Sequence, residues 1–169
     1  MSDVNVTVTG STIGLSVGPQ SYYLSAYSTQ DQTNAGASQV NKMTLNTTDL
    51  NNGINIVSNS RINIANAGIY DIEFSAQVFK TSGGTSKSDI WLCKNGSNVA
   101  NTNTELEVSG NSHGIVASWN FFVNAAAGDY FELCWSSADT TMLLDYTAAQ
   151  STPTRPAIPS VILTVHKIG

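Results

Sequence analysis

The chain has 169 residues, room for one ordinary domain rather than a multi-domain machine. Charged residues make up only 11% of it, against about 25% in typical soluble proteins, while Ser, Thr and Asn fill 56 positions. Twelve acids against seven scattered bases give a net charge of −5, and without a basic stripe there is no footprint for nucleic acid or anionic lipid.

The dominant hydrophobic period is two. From Asp3 to Thr9 the residues Val4, Val6 and Val8 alternate with Asn5, Thr7 and Thr9, and after Gly10 the pattern resumes at Ile13, Leu15 and Val17 before stopping at Gly18-Pro19. Two short strands around a turn are predicted there. Tyr22 to Ser28 is a further strand, and the polar stretch from Thr29 to Ser38 reads as a long loop. From Met43 the chain is mostly Asn and Thr, with a turn at Asn51-Asn52-Gly53, and Arg61 to Ala65 is a short strand.

The central pattern is clearer. Ile69 to Phe79 places Tyr70, Ile72, Phe74, Ala76 and Val78 on one face and Asp71, Glu73, Ser75 and Gln77 on the other, the signature of a half-buried antiparallel strand. Gly83-Gly84 turns the chain into a strand from Ser88 to Lys94, which Asn95-Gly96 closes as a tight hairpin. Val99 to Val108 reads as a polar edge. Ile115 to Val123 carries Ile115, Ala117, Trp119, Phe121 and Val123 inward, with Val116 and Phe122 on the other face. Ala127-Gly128-Asp129 is a turn, Tyr130 to Trp135 puts Phe131, Leu133 and Trp135 on one side, Met142 to Tyr146 is short, and Ser151 to Pro159 is proline-rich. Val161, Leu163 and Val165 finish the chain on a buried strand. Many short strands, frequent turn signals and no amphipathic helical period argue for an all-β antiparallel sandwich or jelly roll with almost no helix.

Groups that carry chemistry are sparse. His113 and His166 lack paired-ligand spacing, and no nucleophile elbow, phosphate loop or zinc-protease motif is present. Asp71 with Glu73, and Glu105 with Glu107, are like charges on one strand face, as solvated strands commonly show. The expectation is a protein without enzymatic activity. Cys93 and Cys134 are too few for a disulfide framework; they read as two half-buried thiols inside strands or as one bridge between neighbouring strands. The N-terminus lacks a basic and apolar signal, and no apolar run reaches the 18 residues of a membrane span. Synthesis in a cytoplasm without membrane insertion is expected.

Four segments in order resemble the C1q and tumour-necrosis-factor-like jelly-roll superfamily: Gly68-Ile69-Tyr70-Asp71-Ile72-Glu73-Phe74, then Ile90-Trp91-Leu92-Cys93-Lys94-Asn95-Gly96, then Val123 through Gly128-Asp129-Tyr130-Phe131-Glu132-Leu133, and last the apolar strand Ser160 to Val165. The resemblance spans Tyr22 to Ile168 and leaves residues 1–20 without a counterpart. The chain is therefore divided into an N-terminal β arm, 1–20, and a jelly-roll domain, 21–169. More narrowly, the Ser118-Trp119-Asn120-Phe121-Phe122 strand and the Pro153-Thr154-Arg155-Pro156 region resemble small structural proteins of tailed bacteriophages from marine and cyanobacterial hosts.

That resemblance implies a homotrimer on the virion surface, partnered by itself and by phage capsid or tail proteins. Capsid decoration or a short head fibre is the leading expectation, since a short chain without a fibrous shaft suits it better than a tail fibre does. A receptor-binding tail fibre or knob that recognises host surface glycan through loops such as Thr29 to Ser38 and Thr81 to Ser88 is the alternative. Phe79, Trp119, Phe122 and Tyr130 are the candidate trimer contacts; Val4, Val6, Val8, Ile13 and Leu15 are the candidate attachment residues, suited to adding a strand pair to a neighbour's sheet edge. No cofactor is expected beyond calcium near the trimer axis, for which Asp139 and Asp145 are candidates, because such an ion needs six or more oxygens.

Overall fold

The computed structural model describes residues 20–169 and, ahead of them, the backbone of two strands, β1 (Val4–Thr9) and β2 (Thr12–Val17). There follow β3 (Tyr23–Ser28), β4 (Gln32–Thr33), β5 (Asn41–Lys42), β6 (Thr47–Asn52), β7 (Ile54–Val57), β8 (Arg61–Ile64), β9 (Gly68–Lys80) and β10 (Thr85–Lys94). The remainder are β11 (Ser97–Asn98), β12 (Thr104–Ser109), β13 (His113–Ala125), β14 (Tyr130–Ser136), β15 (Met142–Leu144), β16 (Gln150–Ser151), β17 (Thr154–Arg155) and β18 (Val161–Lys167). The described residues contain no helix.

Two antiparallel sheets make the sandwich. The first runs β4-β15-β9-β18-β3-β6, with β13 paired along all 13 residues of β9. The second runs β11-β10-β14-β8-β7, with β12 beside β10 and β5 beside β14. This is the jelly roll the alternation predicts. Odd and even positions of each strand face opposite ways, so Tyr70, Ile72, Phe74, Ala76 and Val78 of β9 meet Ile90 and Leu92 of β10 and Phe131, Leu133 and Trp135 of β14 in one buried core. Phe74 anchors it, edge-on to Trp119 with ring centroids 4.8 Å apart and stacked against Phe121 at 6.3 Å.

β1 and β2 form a two-stranded sheet of their own, with Val6 opposite Leu15 and Val8 opposite Ile13. The attachment candidates Val4, Val6, Val8, Ile13 and Leu15 all lie in it; their side chains, like the expected turn at Gly10 and stop at Gly18-Pro19, fall outside the described residues.

Several local expectations are corrected. The Thr29–Ser38 segment is no open loop: β4 pairs Gln32 and Thr33 with Leu144 and Leu143, and its amides act as surrogate backbone. Gln32 Nε2 donates to the Thr44 carbonyl at 2.9 Å while its Oε1 accepts from the Thr44 N–H at 2.7 Å. Asn34 Nδ2 likewise donates to the carbonyls of Ser137 and Asp139. Such amides satisfy buried polar groups that no ladder reaches.

The Asn- and Thr-rich stretch after Met43 is also stranded. β6 belongs to the first sheet and β7 to the second, so the chain changes sheets at Gly53. Its φ is 67°, and a Cβ there would come within 2.4 Å of the Tyr22 ring, so only glycine fits the crossing. The predicted strand at 99–108 is shorter than expected, a loop through Asn103 followed by β12, and the proline-rich segment folds into the small β16–β17 hairpin.

Candidate functional site

The two sheets turn different surfaces outward. On the first sheet the outward residues of β13 are Val116, Ser118, Asn120 and Phe122, and those of β9 are Ile69, Asp71, Glu73, Ser75, Gln77 and Phe79. Phe122 is 68% exposed and Val116 60%, with Ile69, Ile162, Leu50 and Tyr23 exposed on the same face. The register sets Phe122 opposite Asp71, Asp71 opposite His166, and His166 opposite Tyr23, a transverse row across four strands. Asn120 Nδ2 donates to Asp71 Oδ1 at 2.9 Å. The surface is apolar islands in neutral polar ground with few charges, a composition close to that of subunit interfaces.

Phe79 shares this face but is half-buried, because its ring lies over Gly114; a Cβ on that glycine would sit 2.9 Å from the ring. Of the other two candidate contacts, Trp119 is directed inward with Ile115, Ala117 and Phe121, against Phe74. Tyr130 faces outward on the second sheet, under the Arg61 guanidinium at 4.6 Å from its ring. The structure thus places Phe79 and Phe122 on one face but at opposite ends of the β9–β13 ladder, the first opposite Gly114 and the second opposite Asp71, and places Trp119 and Tyr130 elsewhere.

The outward face of the second sheet is covered by its own side chains. β5 lies against β14, opposite Cys134 and Trp135, and its Lys42 reaches the buried Glu132 Oε2 at 3.2 Å. Ser60 Oγ donates to Glu132 Oε1 at 2.8 Å, and Lys42 Nζ contacts Cys134 Sγ at 3.2 Å. Cys93 and Cys134 are free thiols on neighbouring strands, fully buried rather than half-buried, with their sulfurs 2.6 Å apart. Burial pushes the Cys134 thiol up to about 12, outweighing the Lys42 ammonium beside it. Cys93 Sγ and Trp91 Nε1 both donate to Asn98 Oδ1, at 3.2 and 2.8 Å.

At one end of the sandwich the inward parity of β9 continues to Lys80, which is 2% exposed. Its ammonium is met by Asp139, by Ser86 Oγ at 2.8 Å and by Ser82 Oγ at 3.3 Å. Asp139 Oδ1 accepts from the Thr141 N–H at 2.8 Å and its hydroxyl at 2.7 Å. The Lys80 ammonium, with the Ser86 and Thr141 donors, holds the Asp139 carboxyl well below the usual carboxylate range. A calcium ion at Asp139 would have to displace Lys80, so this residue does not fit the role; Asp145 is engaged with Thr147 at 3.3 Å. Among the described residues no three His, Cys, Asp or Glu side chains gather as around a metal ion.

At the opposite end two turns brace each other. Asn95 Nδ2 donates to Asp129 Oδ1 at 2.7 Å, the Tyr130 N–H donates to Asn95 Oδ1 at 2.9 Å, and Lys94 Nζ lies 2.7 Å from Asp129 Oδ2. Lys94, then Asn95, lower the Asp129 carboxyl to about 2.

This architecture superimposes on murine APRIL. The crystal structure of murine APRIL at pH 8.0 gives a TM-score of 0.57 at 12% sequence identity, with 88% of this chain covering 100% of that one. The fold is a TNF-like jelly roll. The structure of murine APRIL at pH 8.5 gives 0.53 at the same identity and coverage. No protein-family model matches the sequence, and no curated protein matches it either. At 12% identity the likeness to APRIL is one of fold alone.

Sequence reasoning identified the outward stripe of the TNF-like sheet through the parity of Phe122 and Val116. It missed the cover over the second sheet, because Glu132 and Cys134 occupy outward positions of β14 and are met there by Lys42 and Ser60, residues 92 and 72 positions away in sequence from the groups they touch. The one local signal was that an acid and a thiol alternate with the apolar residues of a strand otherwise suited to the core.

Proposed function

We propose that this chain is a non-enzymatic structural protein of a tailed-phage virion, a homotrimer that decorates the capsid or forms a short head fibre. The observation that carries the reading is the outward face of the first sheet, where Phe122 and Val116 stand in solvent in a single copy of the chain. Isolated soluble domains seldom expose clustered apolar surface, and obligate subunit interfaces are where it is spent. A second and third copy would remove these rings from water at little electrostatic cost, since the face carries mainly hydroxyl and amide groups between its apolar residues. The phage assignment draws on the sequence style of the Ser118–Phe122 strand and the Pro153–Pro156 region. The mechanism is mechanical: the trimer bridges capsid subunits and displays a neutral polar exterior, with the N-terminal hairpin, residues 4–17, as its attachment arm.

Two measurements test this. Light scattering of the purified chain is expected to give three times the 17.9 kDa chain mass, and capsids carrying the protein are expected to withstand heating that opens bare capsids. A monomer, or capsids indifferent to the protein, overturns the reading. Deleting residues 2–18 is expected to leave the trimer intact and abolish its retention on particles; unchanged retention removes the arm from the mechanism.

A further inference from the structure

Trp91 lies on the outward side of β10, between the buried Ile90 and Leu92, and is half-buried at the floor of a shallow groove of about 680 Å³. That is within the roughly 300–1,000 Å³ of small-molecule sites. The groove exists because β10 changes partners: β11 pairs with its end at Cys93 and Lys94, β12 with its start as far as Ile90, and the chain between them loops out beside Trp91. The loop is fixed from within, as Thr102 Oγ1 accepts from the Leu92 N–H at 3.1 Å and donates to the Val99 carbonyl at 2.8 Å.

The lining is one aromatic ring flanked by Val40 and Val99 and surrounded by polar side chains, Asp89, Asn98, Asn101 and Asn103 among them. Asn98 Oδ1 fixes the indole by its N–H, which sets the ring plane. Asn103 Nδ2 holds Asp89 Oδ1 at 2.8 Å, leaving Asp89 Oδ2, Asn98 Nδ2 and the whole Asn101 amide without a partner among the described residues. A second depression of about 610 Å³ continues the groove and shares Asp89, Ser136 and Ser38 with it. Among the described residues no cation lines the first depression, whose charge is the Asp89 carboxylate; Lys87 lines the second.

We infer that this groove binds a neutral oligosaccharide, with one pyranose stacked on Trp91 and its hydroxyls held by Asp89, Asn98 and Asn101. A pyranose ring presents C–H groups on its faces and hydroxyls around its rim, matching an indole face ringed by amides and one carboxylate. An anionic sugar on Trp91 would meet the Asp89 carboxylate, and Lys87, the cation lining the second depression, is already paired with Glu105 at 2.6 Å. Two joined depressions suit a glycan of more than one residue. The site is on the sheet opposite the one bearing Phe122, so it stays open in the proposed trimer and holds whether or not that trimer forms. It borders the 29–38 segment through Ser38, while Gln32 and Asn34 of that segment are already committed.

The test is an array of neutral, sialylated and sulfated oligosaccharides probed with the full chain, followed by fluorescence titration with the best neutral glycan. Saturable binding to a neutral glycan with quenching of tryptophan emission is expected, and Trp91→Ala should weaken it roughly tenfold. Asn101→Gly, which removes no internal hydrogen bond and tolerates the left-handed φ of 62° at that position, should weaken it severalfold while leaving the circular dichroism spectrum and Tm unchanged. Absence of saturable binding to any neutral glycan, binding confined to sialylated or sulfated glycans, or wild-type affinity in the folded Asn101→Gly and Trp91→Ala variants overturns the inference.

Discussion

On the first sheet, Phe122 and Val116 extend into solvent with nothing above them among the described residues, whereas on the second sheet the outward Glu132 and Cys134 are buried by the side chains of Lys42 and Ser60. Both sheets donate to the same core and obey the same parity, so the difference arises outside the sandwich. One outer face is finished by the chain's own loops, with ion pairs and amides that satisfy one another. The other is left apolar and open. A fold that covers the β14 side of one sheet with its own side chains and leaves Phe122 and Val116 bare on the other has, in physical terms, assigned that bare face to something else, and another copy of the chain is the occupant proposed here.

The sharpest way to break this contrast is Phe122→Asp. A carboxylate in place of this 68%-exposed ring should convert the proposed trimer to monomer or aggregate, read by light scattering, with the far-ultraviolet circular dichroism unchanged. A variant still trimeric would move the interface off this sheet. Next in size is Asp139→Ala, which strips the partner from buried Lys80 at the end shared by both sheets. Because Asp139 itself is partly exposed, about 2–3 kcal/mol of stability should be lost in urea denaturation, below the upper range for a fully buried pair. A loss under about 0.5 kcal/mol, the scale of an exposed pair, would mean that Ser82 and Ser86 suffice for the ammonium.

A smaller effect is expected from acid. Asp129 at about 2, and Asp139 below the usual carboxylate range, are both lower than an unfolded carboxylate near 3.9. Their contribution is therefore complete above about pH 5 and is lost as pH falls toward 2, because the unfolded chain takes up protons first. Urea midpoints measured from pH 6 to 2 should fall monotonically, and Asp129→Asn should flatten the curve. An unchanged slope in that variant would show the braced turns to be held by Asn95 alone. The smallest effect is that of salt. With so few charges on the open face, the proposed trimer should persist in about 1 M NaCl, where the screening length is near 3 Å; dissociation there would show Asp71, Glu73 and His166 to be the true contacts.

Much of the fold could be read from local pattern. The alternation in β9 and β13 set the inward and outward sides, Asn95-Gly96 closed the hairpin with φ values of 51° and 82°, and the parity of Phe122 marked the open face. Three parts could not. β6, Thr-Thr-Asp-Leu-Asn-Asn on an exposed edge, shows no alternation although it pairs with β3 on both sides of a bulge at Asp49. Gln32 and Asn34 look like loop residues because their structural use depends on backbone carbonyls more than 10 residues distant. The Trp91 groove depends on β10 exchanging β12 for β11, a change of partner made by pairing and not by composition, so its asparagines read as an ordinary polar edge.

The crossing at Gly53 carries one last consequence. β6 and β7 are successive stretches of one extended chain, the first hydrogen-bonded into one sheet and the second into the other. A pull on either sheet is passed to the other along covalent bonds through a single residue, in addition to the side chains interdigitated between them. Such a seam resists sliding of the two layers as a stitch does in folded cloth, which suits a small domain whose opposite faces are loaded by different neighbours.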